Sequence, residues 1–414
     1  MDRRIHMEYI KRELERKFMA MNEVFKAVMV TGARQVGKST MLKEMAAGES
    51  RTYVNLDNAR DRELAKSDPG LFFQMYKPPV LIDEVQKAPE LFEHIKMICD
   101  DSDEAGLFWL TGSESKKLLR EARDSLAGRI CILKMFSLSQ REKAGKSELG
   151  EMEFTFDALS ERAKNFPPNN IQDVYAHIWE GGMPGTIGMT DEQRMEYYES
   201  YIETYLMRDA VDDNGISNTE GFRKVLRACA AFAGNLLNYS DIALAGNVSV
   251  PVAKDWVKVL QSMGIIYLME PYSNNELKRL IKTPKLYFCD TGLLAYLSMW
   301  TGKETLMNGA ASGHFFENYV VSEFLRMYSY AKSKMNMTFY RDTNQKEIDI
   351  VLEENGILHP LEIKKGSNPE KNSIRSFHLL EKSSLQIGEG GVICMTEKPF
   401  PLDANNNYIP CNII

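Results

Sequence analysis

Residues 32–39 read Gly32-Ala33-Arg34-Gln35-Val36-Gly37-Lys38-Ser39, a glycine followed after four residues by Gly-Lys-Ser. Glycines at the two ends let the backbone curl until successive N–H groups point inward at phosphate oxygens. In such a cradle the Lys38 ammonium reaches β- and γ-phosphates, and the Ser39 hydroxyl ligates Mg2+. Thr40 lies in the opening turn of the helix expected next, whose positive end faces the same anion. The chemistry is that of a nucleoside-triphosphate site.

A second constellation supports it. Val80-Leu81-Ile82 leads into Asp83-Glu84, with Asp83 placed 45 residues after Lys38. Asp83 would hold Mg2+, usually through water, and Glu84 would polarise the attacking water. Gly106–Thr111 runs into Gly112-Ser113. Either Ser113 or Thr111 is positioned to hydrogen-bond a γ-phosphate or the lytic water, although Thr-Gly-Ser is also ordinary turn chemistry. Arg129 closes Ser125-Leu126-Ala127-Gly128-Arg129 before a last strand. It is the candidate for stabilising transition-state charge, in cis or on a neighbouring subunit.

The elements that must carry these residues follow from the apolar runs. Short strands are expected at 27–31, 52–57, 80–84, 106–111 and 130–133, alternating with helical stretches. Strand, loop, helix is the order a phosphate loop requires. Residues 1–150 are therefore expected to form an α/β domain, a parallel sheet with helices on both faces. Ahead of it, Tyr9, Ile10, Leu14 and Phe18 fall at helical spacing.

The strings Thr31–Thr40, Leu81–Gln86 and Leu110–Ser113 together resemble the AAA-type P-loop ATPases of bacteria and archaea. In that family the P-loop domain is fused to a C-terminal domain of unknown function. Ser125–Arg129, Trp179-Glu180-Gly181-Gly182-Met183-Pro184 and Tyr205-Leu206-Met207-Arg208-Asp209 fit the same family, so the resemblance spans nearly the whole chain. It implies ATP binding with Mg2+, and ATP hydrolysis as the expected activity.

Beyond about residue 150 the signals weaken. Asn165-Phe166-Pro167-Pro168-Asn169-Asn170 reads as a linker. A second, helical domain is expected over 165–300, with Tyr197, Tyr201 and Tyr205 as a core stripe rather than a cofactor box. Its later part has a winged-helix outline: helices from Phe222 and near Ser249, then strands at Ile265–Leu268 and Lys285–Phe288. Lys254 and Lys258 on the candidate recognition helix are accompanied by Asp255, and Lys278, Arg279 and Lys282 lie in the wing. A scaffold or lid packing on the ATPase is preferred over a DNA reader.

A third domain is expected over 305–414. Phe315–Leu325 is an amphipathic helix carrying Glu317, followed by strands at 338–341, 347–352 and 361–364. Asp349, with Glu362-x-Lys364 thirteen residues on, resembles the motif of the restriction-endonuclease-like (PD-(D/E)xK) fold. Residues i and i+2 of a strand share a face, so Glu362 and Lys364 point together toward Asp349. Two carboxylates hold Mg2+, the lysine stabilises charge or activates water, and Glu317 is a further ligand. Residues 331–382 carry nine Lys or Arg against eight Asp or Glu, too balanced for a phosphate-backbone surface. Asn405-Asn406-Asn407 reads as a turn or a disordered end.

Bulk composition excludes little but biases the reading. The 414 residues carry a net charge of −7, so nucleic-acid binding is not favoured globally. Six cysteines are scattered without a C-x-x-C pair, which suggests neither zinc nor a disulfide framework and fits a reduced, cytoplasmic location. No signal peptide and no apolar run of membrane-spanning length is expected. The expected function is an ATPase whose cycle drives or gates the C-terminal domains. The alternatives are an ATP-dependent docking switch with little turnover, or an ATP-regulated DNA or RNA nuclease. The partner, protein or nucleic acid, and the oligomeric state are left open.

Overall fold

The computed structural model describes residues 9–113, 116–168, 170–212, 214–272, 283–333, 335–342 and 344–414, with the side chains of 116 and 117 excepted. The chain divides into two compact units. One runs through Leu138 and includes Glu142–Ser147 and Ser262–Gly264; the other comprises Ser139–Arg141, Glu148–Gln261 and Ile265–Ile414.

In the first unit, strands β1 (Ala27–Thr31), β2 (Thr52–Asn55), β3 (Val80–Asp83), β4 (Phe108–Thr111) and β5 (Ile130–Lys134) form one sheet in the order β2-β3-β4-β1-β5. Every neighbouring pair is parallel. Parallel strands covered by helices on both faces bury both sets of side chains, so they read as continuous apolar runs. That is the case for Ala27-Val28-Met29-Val30 and for Phe108-Trp109-Leu110, all fully buried. Because β4 is inserted between β1 and β3, the C-terminal ends of all three lie side by side, with Val30 opposite Thr111 and Ile82 opposite Leu110. In an open α/β sheet that edge is where ligands bind. The helix Leu14–Asn22 packs Phe18 edge-on against Trp109, with ring centroids 4.9 Å apart.

The second unit begins with helices. The double glycine at 181–182 has a structural origin: Asp290 accepts from Gly182 N–H and the Tyr198 hydroxyl, both at 2.8 Å. A Cβ at Gly181 would sit 2.7 Å from that carboxylate. Tyr198 and Tyr201 are buried, and the Tyr197 and Tyr201 rings stack. Helices Thr219–Ala231, Tyr239–Gly246 and Val250–Ser262 are followed by an antiparallel ribbon of β6 (Ile266–Met269) and β7 (Lys285–Phe288).

The remaining strands are β8 (Asn336–Arg341), β9 (Glu347–Glu354), β10 (Ile357–Ile363), β11 (Gln386–Ile387), β12 (Gly390–Cys394), β13 (Phe400–Pro401) and β14 (Asn406–Pro410). They order as β13-β14-β12-β10-β9-β8, with β11 on β10. Helix Ser312–Tyr330 is tied to β7 by Asn318, which accepts from Phe288 N–H at 2.7 Å and donates to Phe288 O at 3.0 Å.

Ahead of the linker lies a helix, Phe156–Ala163, N-capped by Thr155. The asparagine run is not a frayed end: Asn406 and Asn407 open β14, and buried Asn407 donates to Phe154 O at 2.9 Å. Buried Tyr408 and Ile409 fix that strand in the sheet despite its turn-like start. Among the described residues no helix is long and apolar enough to cross a membrane.

Candidate functional site: a phosphate loop and a carboxylate cluster

The loop after β1 depends on backbone conformations that ordinary residues avoid. Gly32 has φ +143°, and a Cβ there would lie 2.1 Å from the Met135 carbonyl oxygen. Gly37, at φ 99°, caps the helix Lys38–Ala46. Between them Val36 is buried, Ala33 and Arg34 are half-buried, and Gln35 is exposed with φ 60°. Thr40 is exposed in the first helical turn. Buried Lys38 folds over the loop, its ammonium donating to Gly32 O at 2.9 Å and Ala33 O at 2.8 Å.

The strand ends meet this loop as the topology requires. Ser39 Oγ donates to Asp83 Oδ1 at 2.6 Å, and Thr111 Oγ1 donates to the same oxygen. Thr111 Oγ1 also accepts the Glu84 N–H at 3.0 Å. Both roles of Thr111 are thus spent on the two acids. Ser113 differs, since its Oγ is buried with no hydrogen-bond partner among the described residues. Glu84 sits in the left-handed region, φ 62° and ψ 45°, a conformation a side chain adopts only when its surroundings enforce it.

Three contributors were not apparent in the sequence. The Tyr53 hydroxyl donates to Asp83 Oδ2 at 3.0 Å, and Gln86 Nε2 donates to Glu84 Oε2. Buried Arg12 grips the loop from outside, donating to Val36 O at 2.7 Å and Phe136 O at 2.7 Å, with its Nε on Glu142 Oε1 at 3.0 Å. Burial, then the Asp83 charge, pushes the Tyr53 hydroxyl well above its ordinary range, so it stays a donor. Arg129 is not brought to this group within the chain. It precedes β5 beside the start of β1, its carbonyl bonded to Ala27 N–H, and its guanidinium pairs with Asp100.

In the second unit, Glu317, Asp349, Glu362 and Lys364 do converge, joined by Lys285, Tyr287 and Glu347. Lys285 Nζ lies 2.9 Å from Glu317 Oε1, bonds Glu347 Oε1, and is 4.0 Å from Asp349 Oδ1. The Tyr287 hydroxyl donates to Glu317 Oε1 at 2.6 Å, and Lys364 Nζ to Glu362 Oε1 at 2.5 Å. Asp349 Oδ2 accepts the Ile363 N–H at 2.8 Å. Glu362 Oε2 is buried with no hydrogen-bond partner among the described residues. Burial, then the Glu362 and Glu317 charges, pushes the Asp349 carboxyl well above the carboxylate range against the pull of Lys285 and Lys364. Burial of the Lys285 ammonium opposes its charge, but Glu317, Asp349 and Glu347 outweigh it and raise its pKa.

An acid whose folded pKa exceeds its unfolded one stabilises the fold fully below the unfolded value, about 3.9 for Asp. That contribution is lost as pH rises through the folded value. Asp349→Asn keeps an oxygen for Ile363 and removes the cost. It is expected to melt higher than the parent at pH 8, with the gap closing toward pH 4. Calorimetry at the two pH values checks this, and a lower melting temperature at pH 8 contradicts it.

On the candidate recognition helix, Lys254 lies over the Tyr239 ring at 5.3 Å and Lys258 pairs with Asp255 at 3.7 Å. Lys278, Arg279 and Lys282 lie outside the described residues.

Residues 24–144 match the AAA domain family. Together with the parallel sheet and its phosphate loop, this decides the first unit. It is an AAA-type P-loop domain. Beyond the AAA-type domain, residues 171–304 match a domain of unknown function (DUF8612), and residues 312–414 match another (DUF4143). Uncharacterised proteins of Mycobacterium bovis and Mycobacterium tuberculosis are each 25% identical over 391 residues, covering 94% of this chain and 80% of theirs. The Walker-type ATPase of Pyrococcus abyssi is 16% identical with a TM-score of 0.44, over 70% of this chain and 96% of that one.

Proposed function

We propose that the AAA-type domain binds ATP with Mg2+ and hydrolyses it, and that this cycle gates an activity or a docking surface of the second unit. The observation that carries the reading is the Ser39–Asp83–Thr111 junction at the mouth of the loop, with Glu84 beside it. The residues fit the ligand. The loop backbone offers N–H groups to phosphate, Lys38 offers a cation, Ser39 and Asp83 offer hard oxygen ligands, and Ser113 offers a hydroxyl with no hydrogen-bond partner among the described residues. When bound, Mg2+ supplies neutralisation of phosphate charge. Lys38 exchanges its two loop carbonyls for phosphate oxygens, Glu84 accepts a proton from water, and Thr111 keeps the two acids in register.

Gln86 favours slow turnover at rest, because it engages the carboxylate that must orient water. Gln86→Ala is expected to raise basal phosphate release on the order of tenfold, the value of one charge-assisted hydrogen bond. A rate that falls instead would assign Gln86 to the productive arrangement. The function itself is tested by phosphate release from ATP by the full chain. Release that stops on chelation of Mg2+ and resumes on its return supports the reading, while release indifferent to Mg2+ contradicts it. The same assay on the nucleotide-loaded chain, with candidate partners added, reads the gating.

A further inference from the structure

Gly37 gives the phosphate loop a freedom that it must not use. Glycine takes φ of either sign about as readily, so the peptide joining Val36 to Gly37 can turn over at little local cost. That peptide is trans, with Gly37 at φ 99°, and a trans peptide points its C=O and its N–H in opposite directions. One orientation offers the loop's anion a donor, and the other offers it the Val36 oxygen. Arg12 engages that oxygen from outside. Its Nη1 donates to Val36 O at 2.7 Å, its Nη2 to Phe136 O at 2.7 Å, and its Nε to Glu142 Oε1 at 3.0 Å. Arg12 and Glu142 are both buried, and the same carboxylate oxygen accepts the Glu13 N–H at 2.8 Å. With Met135 pressed on Gly32, residues 135 and 136 meet the loop at its first glycine directly and beside its second through Arg12.

We propose that Arg12 is a positioning residue that locks the Val36–Gly37 peptide with its N–H turned toward the phosphates. The guanidinium acts through the loop backbone: its charge is met by Glu142, and all three of its nitrogens are engaged. An arginine suits this role, because its planar fork spans two carbonyls and a carboxylate that one ammonium cannot bridge. Released from Arg12, the peptide populates the turned-over form, which exchanges a donor to the phosphates for an oxygen that repels them. The inference rests on the reading of residues 32–39 as an ATP site and adds what keeps that site formed.

The test is an NMR titration of the full chain with ATP and Mg2+, labelled with 13C at valine carbonyls and 15N at glycine. Val36-Gly37 is the only Val-Gly pair in the sequence, so the one carbonyl-to-amide resonance reports this peptide. In the parent its amide proton is expected to move downfield as ATP saturates the chain. Arg12→Lys keeps a cation for Glu142 without the fork. It is expected to bind ATP about tenfold more weakly, the value of one hydrogen bond to a charged group. Its resonance in the nucleotide-free chain is expected to shift or broaden from the parent's position. Arg12→Met with Glu142→Gln removes both charges together, strands neither, and is expected to behave alike. Parent-like affinity or a parent-like resonance in either folded variant overturns the proposal, and so does failure of both variants to fold. A parent that binds ATP without moving the resonance overturns this inference alone, whereas a parent that binds no ATP overturns the ATP-site reading as well.

Discussion

Glu84→Gln is expected to lower the proposed ATP hydrolysis by about 10²–10⁴-fold, the range of a positioned general base, while leaving ATP affinity close to the parent's. Gln has the shape of Glu and keeps a hydrogen bond to its neighbours, but its amide does not accept a proton from water. In the proposed arrangement Glu84 leaves phosphate binding to Lys38 and the loop, and metal binding to Ser39 and Asp83, whose hydroxyl and carboxylate already meet at 2.6 Å. The left-handed backbone at Glu84 is set by the chain around it, including the Thr111 oxygen that accepts its N–H, and the substitution leaves that bond intact. Single-turnover phosphate release together with equilibrium ATP binding on one sample separates the two effects. A parallel loss of affinity would mean that Glu84 binds nucleotide rather than activating water.

Lys285→Ala destabilises the second unit by about 3–5 kcal/mol, the cost of leaving buried charge without its partner. The ammonium faces Glu317, Glu347 and Asp349 from a position almost closed to solvent. Its removal leaves those carboxylates to repel one another where Asp349 is already hard to ionise. For a unit of this size the melting temperature falls on the order of 10 °C. Glu317→Gln in the Lys285→Ala background recovers part of the loss, because it removes one of the stranded charges. A double-mutant cycle therefore shows strong coupling between Lys285 and Glu317. Additive losses would contradict the arrangement.

The AAA-type domain was largely legible because its strands are buried on both faces and its candidate site residues arrive in contiguous strings. Gly32–Thr40, Asp83-Glu84 and Ser113 needed only strand order to be assembled, and β4 between β1 and β3 supplied it. What stayed hidden came from distant sequence. Arg12 reaches Val36 from 24 residues away and Glu142 from 130, and nothing in its own surroundings marks it. Arg129 was legible as a residue near the sheet edge, but parallel strands put the start of β5 at the end opposite the loop. In the second unit the spacing of Asp349, Glu362 and Lys364 predicted their meeting. The alternation Lys285-x-Tyr287 carried a second signal, read only as a ribbon because its target lay on another sheet and a helix. The turn read at Asn405–Asn407 is present, with Asp403 Oδ1 accepting the Asn405 and Asn406 N–H groups, but the disordered-end alternative fails because buried Tyr408 and Ile409 carry the chain on into β14.

Every role proposed for the first unit depends on the loop at 32–39 being an ATP site, and one titration tests that most directly. ATP affinity is measured by equilibrium binding to the full chain, parent against Lys38→Ala, at equal Mg2+. The ammonium now held on Gly32 and Ala33 is the cation that the phosphates would claim, so the variant is expected to bind at least about 100-fold more weakly while melting as the parent does. Unchanged affinity in a folded Lys38→Ala variant would contradict the central claim.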